Sequence, residues 1–62
     1  MQSDYLTIDE IAAQLRVSWF MVKRWIETGE LPASKFGKQY RILRADYEEF
    51  LRRKRIRLDT NP

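Results

Sequence analysis

Residues 7–32 read TIDEIAAQLRVSWFMVKRWIETGELP, and this stretch decides the fold because it fits two short helices separated by a tight turn. Thr7 and Glu10 have the Thr-x-x-Glu spacing of a capping box, which predicts that a helix starts at Thr7. Leu6, directly before the cap, and Ile11 have the spacing of a hydrophobic staple. Apolar residues share one face of this first helix, namely Ile8, Ile11, Ala12 and Leu15.

A second helix is predicted from about Ser18, which is its N-cap, to Thr28. Gly29 suits the left-handed position after a helix end, and Pro32 prevents any continuation. Successive side chains of a helix are turned by about 100° from one another. When the apolar side chains of the second helix face inward, four others point outward: Phe20, Lys23, Arg24 and Glu27. The two helices form a helix-turn-helix, and the second is the candidate recognition helix.

Residues 35–42 alternate bulky and basic side chains around Gly37, which predicts a β-hairpin with Phe36 or Ile42 leaning on the helices. Apolar residues at helical spacing then predict a third helix from Arg44 to Lys54. The fold class is mainly α with a small β-hairpin wing, a winged helix-turn-helix of order α-α-β-β-α. We expect one domain over residues 1–62, folded over 5–54, with a flexible basic tail over 55–62.

Length and composition argue against catalysis. The chain has 62 residues, no Cys and no His, so it lacks imidazole and thiol groups and is too short to enclose a substrate pocket. We therefore expect no enzyme, no cofactor, no metal and no small-molecule ligand. No stretch approaches the roughly 20 apolar residues of a membrane span, and no leader peptide is evident. These features favour a cytoplasmic protein with no membrane partner.

Charge is unevenly distributed along the chain. Residues 1–34 carry a net charge of −2 and residues 35–62 a net charge of +5, within a total of +3. A basic half favours a partner rich in phosphate, and double-stranded DNA is the leading candidate. The alternative is that these lysines and arginines only solvate a small surface.

The order of elements, together with specific residues, resembles the excisionase-like, MerR-type DNA-binding domains over about residues 5–53. The Gly-x-Leu-Pro-Ala turn at a fixed distance after Val-Ser is the most specific part of this pattern. The matching positions are Leu6-Thr7, Ala12-Ala13, Val17-Ser18, Val22, Trp25-Ile26, Gly29–Ala33, Gly37, Tyr40–Ile42, Asp46 and Phe50-Leu51.

The resemblance implies that the second helix enters the major groove and that the wing reaches the DNA backbone or the adjacent minor groove. Arg24 suits a bidentate pair with guanine, Lys23 a phosphate or guanine, and Gln39 a base edge or sugar. The candidate contacts are Ser18, Trp19, Phe20, Lys23, Arg24 and Glu27 in the helix, Lys35, Lys38, Gln39 and Arg41 in the wing, and Arg52, Arg53, Lys54, Arg55 and Arg57 in the tail. The tail alternatively forms a frayed, solvated end.

Trp19, Phe20 and Met21 depart from the family pattern, which commonly has small or polar residues after the cap. We expect Trp19 to be half-buried against the core. Phe20 points outward, where an aromatic ring suits either a thymine methyl group or a protein partner.

The chain ends about eight residues after its third helix, so we expect a stand-alone module. Such a module looks like an excisionase, which binds and bends DNA and directs a site-specific recombinase, here an integrase, toward excision. Neighbouring copies of the protein are further possible partners, and the prokaryotic nucleoid is the expected location. A small transcriptional repressor is the alternative. A second alternative is a protein-interaction adaptor that docks through Trp19, Phe20 and Met21.

Overall fold

The computed structural model describes residues 4–55. Its elements are β1 (Tyr5–Leu6), α1 (Ile8–Leu15), α2 (Trp19–Glu27), β2 (Ser34–Phe36), β3 (Gln39–Leu43) and α3 (Arg44–Lys54). Three helices with a small antiparallel sheet confirm the predicted winged helix-turn-helix. None of the helices in residues 4–55 is long and apolar enough to cross a membrane. The predictions for Arg57 and for the tail beyond Arg55 fall outside the described residues.

The caps form where the sequence predicts them. The backbone N–H of Thr7 donates to Oε1 of Glu10 at 2.9 Å, and the N–H of Glu10 donates to Oγ1 of Thr7 at 3.2 Å. Arg16 then ends α1 in the left-handed conformation, with φ of 57°. Ser18 caps α2 by accepting the N–H of Met21 at 3.1 Å. The reversal between the helices therefore takes three residues, 16–18.

The sheet contains one strand more than predicted. β1 pairs antiparallel with β3, with Tyr5 opposite Leu43 and Leu6 opposite Ile42, so the strand order is β1-β3-β2. The predicted order of elements, α-α-β-β-α, therefore omits β1. Two residues are too few to show the alternation that reveals a strand in a sequence, and Leu6 was interpreted only as part of the staple.

The core lies between the three helices and the inner face of the sheet. Ile42 is fully buried while Phe36 is 52% exposed, so only one of the two candidate wing residues packs on the helices. The register explains this, because Phe36 lies opposite Gln39 and side chains alternate between faces along a strand. The buried apolar residues are Leu6, Ile8, Ile11, Ala12, Val22, Leu31, Ile42, Tyr47, Phe50 and Leu51.

Contacts with α1 and an aromatic contact with α3 hold α2 in place. The rings of Trp25 and Phe50 lie 4.9 Å apart between their centroids. Gly29, with φ of 86°, ends α2 in the left-handed conformation predicted for it. Leu31 can then turn back and become fully buried. These contacts hold the inner face of α2 and leave its opposite face exposed.

Candidate nucleic-acid interface

The start of α1, the start of α2 and the tip of the wing meet around a shallow cleft of about 250 Å³. Trp19 lines it from α2, and Lys38, Gln39 and Tyr40 line it from the wing. The remaining lining residues are Thr7, Ile8 and Asp9 of the α1 cap. The predicted recognition helix and the predicted wing therefore border one continuous surface.

The exposed face of α2 matches the predicted face for three of its four residues. Phe20 is 77% exposed, and Arg24 and Glu27 are exposed as well. Lys23 is half-buried. Val22 is fully buried on the opposite side. The face contains one aromatic ring, one carboxylate and two cations, so it is not uniformly basic.

The two cations of α2 differ in their surroundings. Nζ of Lys23 lies 3.4 Å from Oε2 of Glu27 and 5.8 Å from the centre of the Trp19 ring. A phosphate approaching Lys23 must compete with both groups, although exposed pairs of this kind contribute only about 0.3–0.5 kcal/mol. The Arg24 guanidinium has no ion pair within residues 4–55. Arg24 is thus the better placed of the two to bind a new acceptor.

The first turn of α2 presents an apolar patch, which we call the leading patch, made of Trp19, Phe20 and Met21. Trp19 is 39% exposed and Met21 is 41% exposed. The rings of Trp19 and Phe20 meet edge to face at 5.3 Å, a geometry that aromatic pairs prefer. Ser18 is exposed and its hydroxyl oxygen is occupied by the cap.

The wing presents its polar side chains at an exposed tip. Gly37 has φ of 63° and begins the two-residue turn that it forms with Lys38. Two wing cations lie over aromatic rings of the opposite strand, Lys35 at 5.5 Å from the Tyr40 ring and Arg41 at 5.3 Å from the Phe36 ring. Lys35, Lys38, Gln39 and Arg41 are all exposed, as predicted for the wing.

Three side chains of the basic run at the end of α3 have partners within the fold. Arg52 pairs with Glu49 at 3.6 Å, Arg53 donates to the carbonyl oxygen of Glu30 at 2.8 Å, and Lys54 forms an ion pair with the Glu30 carboxylate. Arg52 and Lys54 thus have carboxylate partners within the fold, so these two charges are balanced without DNA. Two glutamates supply the countercharge, and neither is visible from the composition of the run.

Glu30 shows the electrostatic effect of this contact. The hydrogen bond from Lys54 lowers the pKa of the Glu30 carboxyl, with smaller contributions from the charges of Lys54 and Arg53 and from the Thr28 hydroxyl, partly opposed by desolvation. The end of α2 is thereby tied to the end of α3. Arg55 is exposed and closes α3 in the left-handed conformation, with φ of 58°.

Two residues of the wing surface are not predicted to lie there. Tyr40 enters only the strand and family patterns, and Phe36 is an alternative to Ile42 for packing on the helices. The two-residue turn at Gly37-Lys38 contains the signal, because it pairs Phe36 with Gln39 and therefore turns Tyr40 and Ile42 to the other face.

Comparison with known proteins identifies the family. A family model described as "Helix-turn-helix domain" matches residues 5–55. The chain belongs to this family. This helix-turn-helix domain is 42% identical over 41 residues to two Mycobacterium tuberculosis proteins, from strains CDC 1551 and H37Rv, each named "Putative DNA-binding protein". The match covers 66% of this chain and 53% of each relative, so the chain spans about half the length of the curated relatives it matches. No solved structure matches the chain significantly.

Proposed function

We propose that this helix-turn-helix domain binds double-stranded DNA sequence-specifically, with α2 in the major groove and the wing on the neighbouring backbone or minor groove. One observation carries the proposal: Trp19 at the start of α2 and the tip of the wing border the same cleft. Arg24 reads a guanine, while Lys38 and Arg41 bind phosphates. The family match and the names of the two relatives support DNA as the partner.

Charge and shape both favour a duplex over a small ligand. Residues 35–62 carry a net charge of +5 and include both wing and α3. Phosphate contacts of this kind supply affinity, and base contacts supply the choice of sequence. The cleft is small, and four of its seven lining residues belong to helix starts or caps. A DNA duplex can lie across such a shallow surface. A protein that acts on DNA in this way would work in the prokaryotic cytoplasm.

The finer proposal is that the protein is an excisionase-type architectural factor. It would bind near a recombination site, bend the DNA and direct a site-specific recombinase toward excision. A transcriptional repressor that uses the same module needs identical contacts with DNA. An integrase gene beside the gene for this chain, and excision of a reporter element that depends on this protein, distinguish the two roles.

The test of DNA binding is a salt titration. A duplex selected by the protein from a random library and a scrambled duplex of equal length are titrated in anisotropy measurements. We expect log K to fall linearly with log salt on both duplexes, with the selected duplex bound roughly 10³-fold or more tightly. Equal affinity for the two duplexes would contradict sequence-specific binding, and the absence of a salt slope would contradict phosphate contact.

The leading patch supports a second candidate function, a protein-interaction adaptor. Its three residues are at least 39% exposed in the first turn of α2, where the Trp19 and Phe20 rings are in contact. Exposed apolar groups of this kind mark protein-interaction sites. In this case a Phe20→Ala variant keeps its affinity for DNA and loses assembly with a protein partner or with a neighbouring copy. The same salt titration distinguishes the two functions, because docking through apolar groups releases no counterions.

A further inference from the structure

The wing exposes an aromatic ring that the fold does not use. Phe36 is the last residue of β2, directly before the turn, and is 52% exposed. Its strand neighbours place it on the outer face of the ribbon, because Tyr40 and Ile42 face the core. An aromatic residue of this size at the tip of a ribbon adds nothing to the core.

Arg41 completes the arrangement around Phe36. Its guanidinium carbon lies 5.3 Å from the centre of the Phe36 ring, across the strands on the same face. One face of the ring is thus covered by a cation, and half of the side chain stays exposed. None of the five outward residues of the two wing strands is acidic: they are Ser34, Phe36, Gln39, Arg41 and Leu43.

The position of the ring relative to α2 also fits a contact with DNA. Gln39 lies directly opposite Phe36 and lines the cleft together with Trp19 at the start of α2. Phe36 is thus the cross-strand neighbour of a residue that borders the cleft beside α2. β1 and β2 flank β3 on both sides, which holds the ribbon in place against a bending force.

A cation beside an exposed apolar ring is the chemistry of a minor-groove wedge. Arg41 can bind a phosphate at the rim of the groove while it holds the ring, and an inserted apolar side chain unstacks one base step and kinks the duplex toward the major groove. We propose that Phe36, held by Arg41, inserts into a minor-groove base step and produces the bend in the bound DNA. Flexible pyrimidine–purine steps are the expected targets.

This inference rests on the proposed function, and its test separates the two. Duplexes selected from a random library carry 2-aminopurine, whose fluorescence rises on unstacking, at each pyrimidine–purine step in turn. Saturating wild-type protein is expected to raise the fluorescence at one step beside the α2 site. The Phe36→Ala variant loses most of this rise, while its affinity changes by less than about tenfold, since the cost of unstacking disappears together with the ring.

Two further variants sharpen the result. Phe36→Leu keeps an apolar wedge without a ring for Arg41, and we expect it to retain the fluorescence rise. Leu43→Ala removes an exposed apolar side chain from the same face of the wing, away from the turn, and is expected to leave the rise unchanged. Wild-type fluorescence from Phe36→Ala would overturn the wedge, and so would its loss in Phe36→Leu. Specific binding by the wild type with no fluorescence rise overturns the wedge alone, whereas the absence of specific binding overturns the proposed function as well.

Discussion

Among single residues, Arg24 combines an exposed position on α2 with a guanidinium that has no ion pair within residues 4–55. Arg24→Ala should weaken binding to the selected duplex by about 1–3 kcal/mol and relax the preference at one base pair. Competition with duplexes substituted at each position measures both effects. Lys23→Ala is the matched control, because Lys23 already pairs with Glu27. Equal losses on selected and scrambled DNA would contradict base readout by Arg24.

Phe20 has the highest exposure of the six large hydrophobic residues that the structure exposes within residues 4–55. If it touches a thymine methyl group, replacing that thymine by uracil in the duplex weakens wild-type binding, and Phe20→Ala loses affinity chiefly at that site. The two losses should not add, since each removes the same contact. Thermal unfolding of Phe20→Ala stays close to the wild type, because the ring lies outside the core.

The result for Phe20 also distinguishes DNA from a protein partner. If a protein covers the ring, Phe20→Ala keeps the DNA affinity of the wild type and is affected by the thymine-to-uracil replacement as the wild type is. The variant then loses assembly with the partner. Full retention of DNA affinity and of assembly would leave the exposed ring without a function in either role.

At the scale of elements, the wing is expected to anchor the protein to the DNA backbone. Lys38→Ala and Arg41→Ala should each weaken binding similarly on all sequences and reduce the salt slope by about one. Gln39→Ala, a neutral neighbour at the same tip, is the control and should leave the slope unchanged. A slope that stays constant when both cations are removed would mean that the wing does not contact phosphate.

The contact between the end of α2 and the end of α3 predicts a pH effect on stability. The pKa of Glu30 is lowered in the folded state, chiefly by the hydrogen bond from Lys54. Its contribution is therefore fully present above the ordinary glutamate pKa, about 4.3, and is lost as the pH falls through the lowered value. Glu30→Gln should reduce the free energy of unfolding at neutral pH and match the wild type in acid. Urea titrations of both proteins over this range test the expectation; a constant difference would contradict it.

Whether a helix or strand could be predicted from the sequence depends on how far apart its deciding residues lie in the chain. Thr7 and Ser18 correctly predicted the starts of α1 and α2, and Gly29 the end of α2, because capping depends on residues within one turn of each other. β1 and the ion pair of Glu30 with Lys54 escaped prediction, since both join residues more than 20 positions apart. The side of the sheet on which Phe36 lies is an intermediate case. It depends on the register of the two wing strands, and the two-residue turn specifies that register.

At the scale of the whole molecule, charge is concentrated on the second half of the chain, and α3 contributes three cations that have partners inside the fold. Removing residues after Leu51 would delete the contacts of Arg53 and Lys54 with Glu30 as well as any contact with DNA. Arg52→Gln and Arg55→Gln avoid this problem. If the run adds electrostatic attraction, the double variant binds all duplexes more weakly at low salt and converges with the wild type at high salt. If the double variant and the wild type bind equally well at low salt, the basic run stabilises the fold and does not contribute to DNA binding.

The pairing of β1 with β3 has a consequence for how the protein is made. The strand at residues 5–6 finds its partner only at residues 42–43, so residues 5–43 must all leave the ribosome before the sheet can close. Until then α1 and α2 lack Ile42, Phe50 and the rest of the floor on which they pack, and two short helices are marginal alone in water. No nascent fragment that ends before the wing thus presents the assembled surface, and a newly made copy becomes able to occupy DNA only after β3 and α3 have been made.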